Sequence, residues 1–179
     1  MKTELRKITT MAILAALSIA LVAMIHFPIF PAVAFLEYDP ADIAILICGF
    51  SFGPVAGICV TIIAALIQGM TVSANSGVYG IIMHIIATSA LVVTSSCIYK
   101  NRRTKSGAVL SLACGVLAMT AVMIPANLFI TPIFMGVDRD VVVHVLPLIV
   151  LFNFIKAGVN AVITFLVYKK ISNLIHRFN

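Results

Sequence analysis

Charged residues are scarce in this sequence. Only 10% of the 179 residues are Asp, Glu, Lys or Arg, whereas a soluble domain carries about 25%. Apolar residues make up 62% of the chain, and the mean hydropathy is +1.17. This composition excludes an ordinary soluble domain. It predicts an integral membrane protein, and the length suits one transmembrane domain over residues 1–179.

Motifs of nucleotide-binding and catalytic sites are also missing. The sequence has no G-x-x-x-x-G-K-[ST] phosphate loop, so the chain does not use ATP by that route. It has no HExxH, no GxSxG and no set of clustered carboxylates for metal-assisted chemistry. The four cysteines lie in apolar runs without metal-ligand spacing. We therefore expect no enzyme, no metal site and no cofactor.

The net charge is +6, and ten of the twelve basic residues lie in three short segments. They are Lys2–Lys7, Lys100–Lys105 and Lys169–Arg177. Such segments between apolar stretches are typical of cytoplasmic anchors in a lipid bilayer and do not indicate nucleic-acid binding. Both termini are then cytoplasmic. The loop with Glu37, Asp39 and Asp42, the turn 73–77 and the loop 138–140 face outside.

The apolar stretches predict an all-α, six-helix transmembrane bundle. The helices are expected at about 8–27, 41–52, 55–70, 78–99, from 107 onward and at 145–170. Gly53-Pro54 divides the second stretch, because proline lacks a backbone donor and disfavours helix in the residue before it. The segment 41–52 is too short to span upright, so residues 41–70 either span twice or re-enter. Pro125 and Pro132 are expected to interrupt the fifth helix.

Lys156 lies in the middle of the last long apolar stretch, 146–167. An intramembrane charge costs at least about 2.5–3.5 kcal/mol and is by default a candidate functional residue. At helical spacing Asn153, Asn160 and Thr164 share its face, within an arc of about 80°. This polar stripe indicates a ligand-lining face. The alternative is a lysine that snorkels to an interface or pairs as structural glue.

Other polar and aromatic groups fall in the same outer half of the predicted bundle. Asn127 follows the Pro125 break, and a lone His84 lies in the fourth helix, where it contacts either a ligand or another helix. The first outer loop contributes an aromatic and acidic run, which is Phe35, Leu36, Glu37 and Tyr38. Glu37 is also open to interpretation as a solvated loop charge. Together these groups suit a mostly neutral ligand with apolar ring surface and many hydrogen-bonding atoms.

The first helix has a face of small residues. Ala12, Ala16, Ala20 and Ala23 recur at intervals of three or four. Such a ladder allows another helix to approach closely. The neighbour is either another helix of the same bundle or a partner protein.

At these residues the sequence resembles a known family. Residues 35–43 (Phe-Leu-Glu-Tyr-Asp-Pro-Ala-Asp-Ile), followed by Gly53-Pro54, are similar to the first-loop signature of riboflavin-binding S components. These are the substrate-binding membrane subunits of energy-coupling-factor (ECF) vitamin transporters. Pro125-Ala126-Asn127 and Phe152–Lys156 are similar to later segments of that family, and the resemblance covers essentially the whole chain.

The resemblance implies an S-component fold in a bacterial plasma membrane that captures riboflavin from outside. It implies a complex with one transmembrane coupling subunit and two ATPases. By position, Asn127, Asn153 and Lys156 would contact the flavin, the first loop would cover it, and the alanine face would dock on the coupling subunit. The sequence has no tryptophan, which argues against the pocket of the tryptophan-rich thiamine-binding relatives. The alternatives are an S component for another vitamin or precursor, and a small membrane enzyme or assembly factor that binds a lipid-like group.

Overall fold

The computed structural model describes residues 2–177, with side chains placed at 4–168 and at Lys170. The described chain contains six α-helices and one short antiparallel pair of strands, β1 Phe27–Pro28 and β2 Glu37–Tyr38. The helices are α1 Lys2–Met24, α2 Ala41–Phe52, α3 Pro54–Met70, α4 Gly77–Asn101, α5 Lys105–Met135 and α6 Arg139–Arg177. The expected all-α, six-helix architecture is confirmed. Three expected anchor side chains lie outside the described residues, namely those of Lys2, Lys169 and Arg177.

Four of these helices are long and apolar enough to cross a membrane. Within the described residues they are α1, α4, α5 and α6, each with a mean hydropathy of at least 2.0. The other two, α2 and α3, have 12 and 17 residues. At about 1.5 Å per residue, α2 is roughly 18 Å long and does not cross a 30 Å hydrocarbon layer upright.

The short helix α2 forms the centre of the bundle. It packs against α1, α3, α4 and α6, and every residue from 41 to 50 is buried. A helix that is apolar all round is either buried in protein or exposed to lipid, and here four neighbouring helices bury it. The apolar character of this segment therefore reflects a position in the core rather than contact with lipid.

The break between α2 and α3 falls at Gly53-Pro54, as the sequence predicts. Gly53 has φ +93°, a conformation that side-chain-bearing residues rarely adopt, and Pro54 begins α3 at the position where its missing N–H is not needed. Gly49 keeps α2 close to α4, because a Cβ there would collide with Val92 and Ser96.

Three expected boundaries are wrong. The helix α1 ends at Met24 instead of residue 27, because Phe27 and Pro28 pair with β2. The helix α6 begins at Arg139, six residues earlier than expected. The helix α5 is continuous through Pro125 and Pro132 and ends at Gly136, whose φ of +64° caps it. Prolines are tolerated inside membrane helices where neighbouring groups satisfy the freed backbone atoms.

Candidate functional site

One face of α6 carries a line of buried polar side chains. Asn153, Lys156, Asn160 and Thr164 are at most 8% exposed, so the predicted polar stripe points into the bundle. The Asn153 amide donates to the Ile149 carbonyl at 2.8 Å, one turn back along α6. Turning this face inward avoids the cost of presenting amides and a charge to lipid.

Lys156 forms a buried ion pair with Asp39. Its Nζ donates to Asp39 Oδ2 at 2.7 Å, and the two side chains are 10% and 3% exposed. The other carboxylate oxygen accepts from the Ala41 N–H at 3.1 Å, in the first turn of α2. A charge without its partner in such a site costs several kcal/mol, so each residue stabilises the other. The pair fastens the segment before α2 to the middle of α6.

Asn160 extends this pair into a network. Its Nδ2 donates to the Asp39 carbonyl at 3.0 Å and to Asp42 Oδ2 at 3.1 Å. Its Oδ1 accepts from the Tyr38 hydroxyl at 3.1 Å. The Thr88 hydroxyl of α4 donates to Asp42 Oδ1 at 2.7 Å. Every polar group in the network thus has a partner, and β2, α2, α4 and α6 are joined at one point.

Two carboxylates of the segment expected to face outside, Asp39 and Asp42, are turned into the protein. They are 2% and 0% exposed, because they supply the charge and acceptors that Lys156, Asn160 and Thr88 require. The sequence contains one indication of this arrangement. A lysine in the middle of a membrane segment needs a counter-ion. Asp39 is an acidic residue of the segment 35–43, which resembles the first-loop signature of the family.

A cavity of about 120 Å³ lies beside the network. Its wall is formed by the loop before β2, by α3, α4, α5 and α6, and by the turn between α3 and α4. Apolar side chains such as Met83, Met119 and Phe152 cover much of it. Among the predicted substrate-binding residues, the structure brings these to the wall: Phe35, Leu36, Glu37, His84, Asn153 and Lys156.

The rim of the cavity is held by polar contacts. His26 Nε2 lies 2.6 Å from Glu37 Oε2, with side-chain exposures of 19% and 32%. The same nitrogen lies 3.3 Å from the Ser73 hydroxyl, in the turn between α3 and α4. These contacts join the end of the first loop to that turn.

Two predicted residues are not part of the cavity wall. Tyr38 is 9% exposed and belongs to the polar network, where its hydroxyl donates to Asn160. Asn127 is fully buried in α5, where its amide donates to the Met123 carbonyl at 2.8 Å and accepts from Thr131 at 2.9 Å. Both side chains therefore find their partners within α5. A direct contact of Asn127 with a ligand stays a prediction.

Gln68 is a wall residue that sequence reasoning missed. It is 7% exposed, near the end of α3. Polar side chains in membrane segments face the interior of the bundle, and this holds for Gln68 as it does for Lys156. In the sequence, a single uncharged amide in an apolar stretch is only a weak indication of a binding site.

The site suits non-covalent binding of a small molecule. Lys156 and Asn153 offer hydrogen-bonding groups, and the rest of the wall is mostly apolar, the usual composition of a ligand pocket. Among the described residues, no three His, Cys, Asp or Glu side chains are grouped to hold a metal ion. Fold and site together define a membrane protein that binds a small ligand inside a helical bundle.

Comparison with known proteins identifies the family. The model of the family "ECF transporter, substrate-specific component" matches residues 6–168, and the chain belongs to this family. The chain is similar to the riboflavin transporter RibU of Staphylococcus aureus (strain TCH60), with 27% identity over 96% of this chain and 93% of the relative. It is also similar to the riboflavin transporter FmnP of Bacillus subtilis (strain 168), with 26% identity over 94% and 93%.

A solved structure agrees with this assignment. It is described as "Structure and mechanism of the S component of a bacterial ECF transporter" and matches with a TM-score of 0.83 and 27% identity. The match covers 96% of this chain and 98% of that chain. The family and the S-component fold that the sequence resembles are therefore confirmed, and the chain is a multi-pass membrane protein.

Proposed function

We propose that this chain captures riboflavin from outside the cell and delivers it inward together with an ATP-driven coupling module. The observation that carries the proposal is the cavity lined by Asn153 and Lys156, in a chain that is similar over nearly its whole length to two riboflavin transporters.

The wall chemistry fits a flavin. The uracil-like edge of the isoalloxazine ring presents both donors and acceptors, and a carboxamide such as Asn153 matches both. Lys156 has three N–H donors and gives one to Asp39, which leaves donors for a ring or ribityl oxygen. Phe35, Phe152 and Met119 line the cavity with apolar surface for the ring faces.

Riboflavin needs more room than the cavity holds in this conformation. The volume is about 120 Å³, whereas small-molecule sites usually measure about 300–1,000 Å³. The side of the wall formed by Phe35, Leu36 and Glu37 therefore moves outward on binding. Asp39 stays fixed by Lys156 and α2, so the movement is confined to the loop ahead of it.

The cavity faces outside and the basic loop faces the cytoplasm. The cavity wall includes residues of the amino-terminal half of α4 and of the turn before it. Arg102, Arg103 and Lys105 lie exposed just beyond the other end of α4. Basic loops are retained on the cytoplasmic side, so a ligand enters from the opposite side.

Energy for transport comes from partner subunits, because the sequence carries no phosphate loop. We assign the docking face for the transmembrane coupling subunit to Ala12, Ala16, Ala20 and Ala23, all of which are exposed on α1. The coupling subunit in turn carries two ATPase subunits. The support for this assignment is that α1 packs against its own bundle through a different face.

Analysis of co-purifying small molecules tests the proposed ligand. Protein purified from riboflavin-containing cells is expected to be yellow and to release riboflavin on denaturation, identified by absorption and mass. The Lys156→Met variant, purified in parallel, is expected to carry less. Release of a different vitamin from the wild-type protein, with no flavin, would contradict the proposal.

A further inference from the structure

Two buried polar atoms of the cavity wall lack a hydrogen-bond partner within the described part of the chain. They are Gln68 Oε1 on α3 and His84 Nε2 on α4. A buried polar atom without a partner destabilises the fold by about 1–3 kcal/mol. Such atoms in a cavity wall indicate that something else supplies the partner when the site is in use.

The unpaired atom of Gln68 is fixed as an acceptor by its neighbours. Its Nε2 lies 3.4 Å from Asp39 Oδ2 and 3.4 Å from the Ser73 hydroxyl. Reversing the amide would place its oxygen against the carboxylate that Lys156 holds ionised, where two acceptors repel. The oxygen is therefore left for a donor inside the cavity.

Other unpaired buried atoms of the described chain differ in kind and in place. They are the hydroxyls of Ser51, Ser95 and Ser96, which lie in helices and are not in the cavity wall. A serine hydroxyl rotates to bond a helix carbonyl one turn back. The planar Gln68 amide and His84 imidazole have no such freedom, so their unpaired atoms point more directly to a ligand.

We propose that Gln68 and His84 form a hydroxyl-binding subsite, which takes the polyol chain of the ligand. This inference rests on the function proposed above. A ligand phosphate or carboxylate is disfavoured there, because Gln68 Oε1 only accepts hydrogen bonds and an ionised oxygen has no hydrogen to donate. A hydroxyl donates to Gln68, and it donates to or accepts from His84 according to the tautomer.

The subsite lies next to the residues assigned to the flavin ring. Lys156 Nζ and Gln68 Nε2 both contact Asp39 Oδ2, at 2.7 Å and 3.4 Å. In riboflavin the polyol is attached directly to the ring, so one bound molecule reaches both groups. The subsite accordingly distinguishes riboflavin from a flavin with the same ring and no polyol.

Paired titrations with riboflavin and lumiflavin, which has a methyl group in place of the polyol, test the subsite. Gln68→Met keeps the side-chain length and removes the acceptor, and His84→Leu removes the ring nitrogens. Each variant is expected to weaken riboflavin binding about 5- to 100-fold, the loss typical of one or two hydrogen bonds. Lumiflavin affinity is expected to change by less than about 3-fold. Ser95→Ala, a buried unpaired hydroxyl outside the cavity wall, is the matched control and should alter neither affinity.

Comparing the affinities for riboflavin and lumiflavin distinguishes a polyol-binding subsite from an indirect effect of the substitutions. An equal loss for riboflavin and lumiflavin would mean that Gln68 acts through Asp39 and Lys156, and would overturn the subsite. Unchanged riboflavin affinity in both variants would overturn it as well. Failure of the wild-type protein to bind any flavin would overturn the proposed function itself, and the subsite with it. Helical content and elution as a single species in detergent establish that each variant is folded.

Discussion

Lys156 serves two purposes at the residue scale. Its side chain lines the cavity, and it is also the counter-ion of Asp39. Under the proposed function, removing it should affect ligand binding and folding stability by different physical routes. The ligand would lose a charged donor, and the protein would retain a buried carboxylate without a partner.

A double substitution separates these two effects. Lys156→Met should weaken riboflavin binding by about 1.5–3 kcal/mol, the range for hydrogen bonds to charged groups. It should also destabilise the fold by about 3–5 kcal/mol, the cost of breaking a buried pair. Adding Asp39→Asn removes the stranded charge, so we expect stability to return while binding stays weak. Titration and thermal unfolding in detergent measure the two. Wild-type riboflavin affinity in the single variant would return Lys156 to a purely structural role.

Asn153 is the second residue of α6 with a predicted ligand contact. Asn153→Leu removes an amide from the cavity wall, and we expect riboflavin binding to weaken by about 1–3 kcal/mol. Thr164→Val is a matched control, because Thr164 is buried on the same stripe but bonds only to the Asn160 carbonyl, outside the cavity wall. Equal affinities of both variants in a riboflavin titration would contradict a ligand contact by Asn153.

Only some of these residues could be predicted from the sequence. Lys156 and Asn153 stand out because a charge and an amide in an apolar span are costly. Their partners do not stand out, since Asp39 lies 117 positions away from Lys156 and acidic loop residues are ordinarily solvated. Gln68 could not be predicted from the sequence, because its importance lies in a buried side-chain oxygen without a hydrogen-bond partner, and only the folded structure shows that.

At the scale of elements, α1 has two distinct faces. Leu14, Ala15, Ser18 and Val22 are buried against the bundle, whereas the predicted alanine face is exposed. Packing within the chain therefore leaves that face uncovered. Lipid contact alone gives no reason for alanine there, since leucine is at least as favourable in a bilayer.

Leucine substitutions on the two faces should have opposite effects. Ala16→Leu adds bulk to the exposed face, so riboflavin binding should be unchanged while uptake and co-purification with the coupling subunit fall. Ala15→Leu adds the same bulk to the buried face and should damage folding, because overpacking a core typically costs about 1–3 kcal/mol. Binding, uptake in whole cells and affinity pull-down measure the difference. Full uptake by an Ala12→Leu/Ala16→Leu variant would remove this face from the mechanism.

Proline had different consequences in two elements. The break at Gly53-Pro54 could be predicted, because a glycine with positive φ and a proline at a helix start act together. The expected break at Pro125 did not occur. The helix α5 continues to Met135. A membrane helix tolerates proline where its surroundings satisfy the freed backbone atoms, and the proline alone does not reveal those surroundings.

At the scale of the whole molecule, the first loop is divided into a part held by the polar network and a part held by the contacts at the cavity rim. Tyr38, Asp39 and Asp42 are tied to α4 and α6. The preceding residues are held by the rim contacts of His26, Glu37 and Ser73. Composition and hydropathy were sufficient to predict a membrane bundle, but this division depends on long-range contacts that no sequence pattern specifies.

Titration of purified wild-type protein with riboflavin tests the central claim most directly. Riboflavin fluorescence should be quenched as the ring stacks on the apolar cavity wall, and the quenching should saturate at about one riboflavin per chain, as a single binding site in the bundle implies. Thiamine and biotin, added in excess, should not displace the flavin. No quenching by the folded protein, together with tight binding of a different vitamin, would contradict the account.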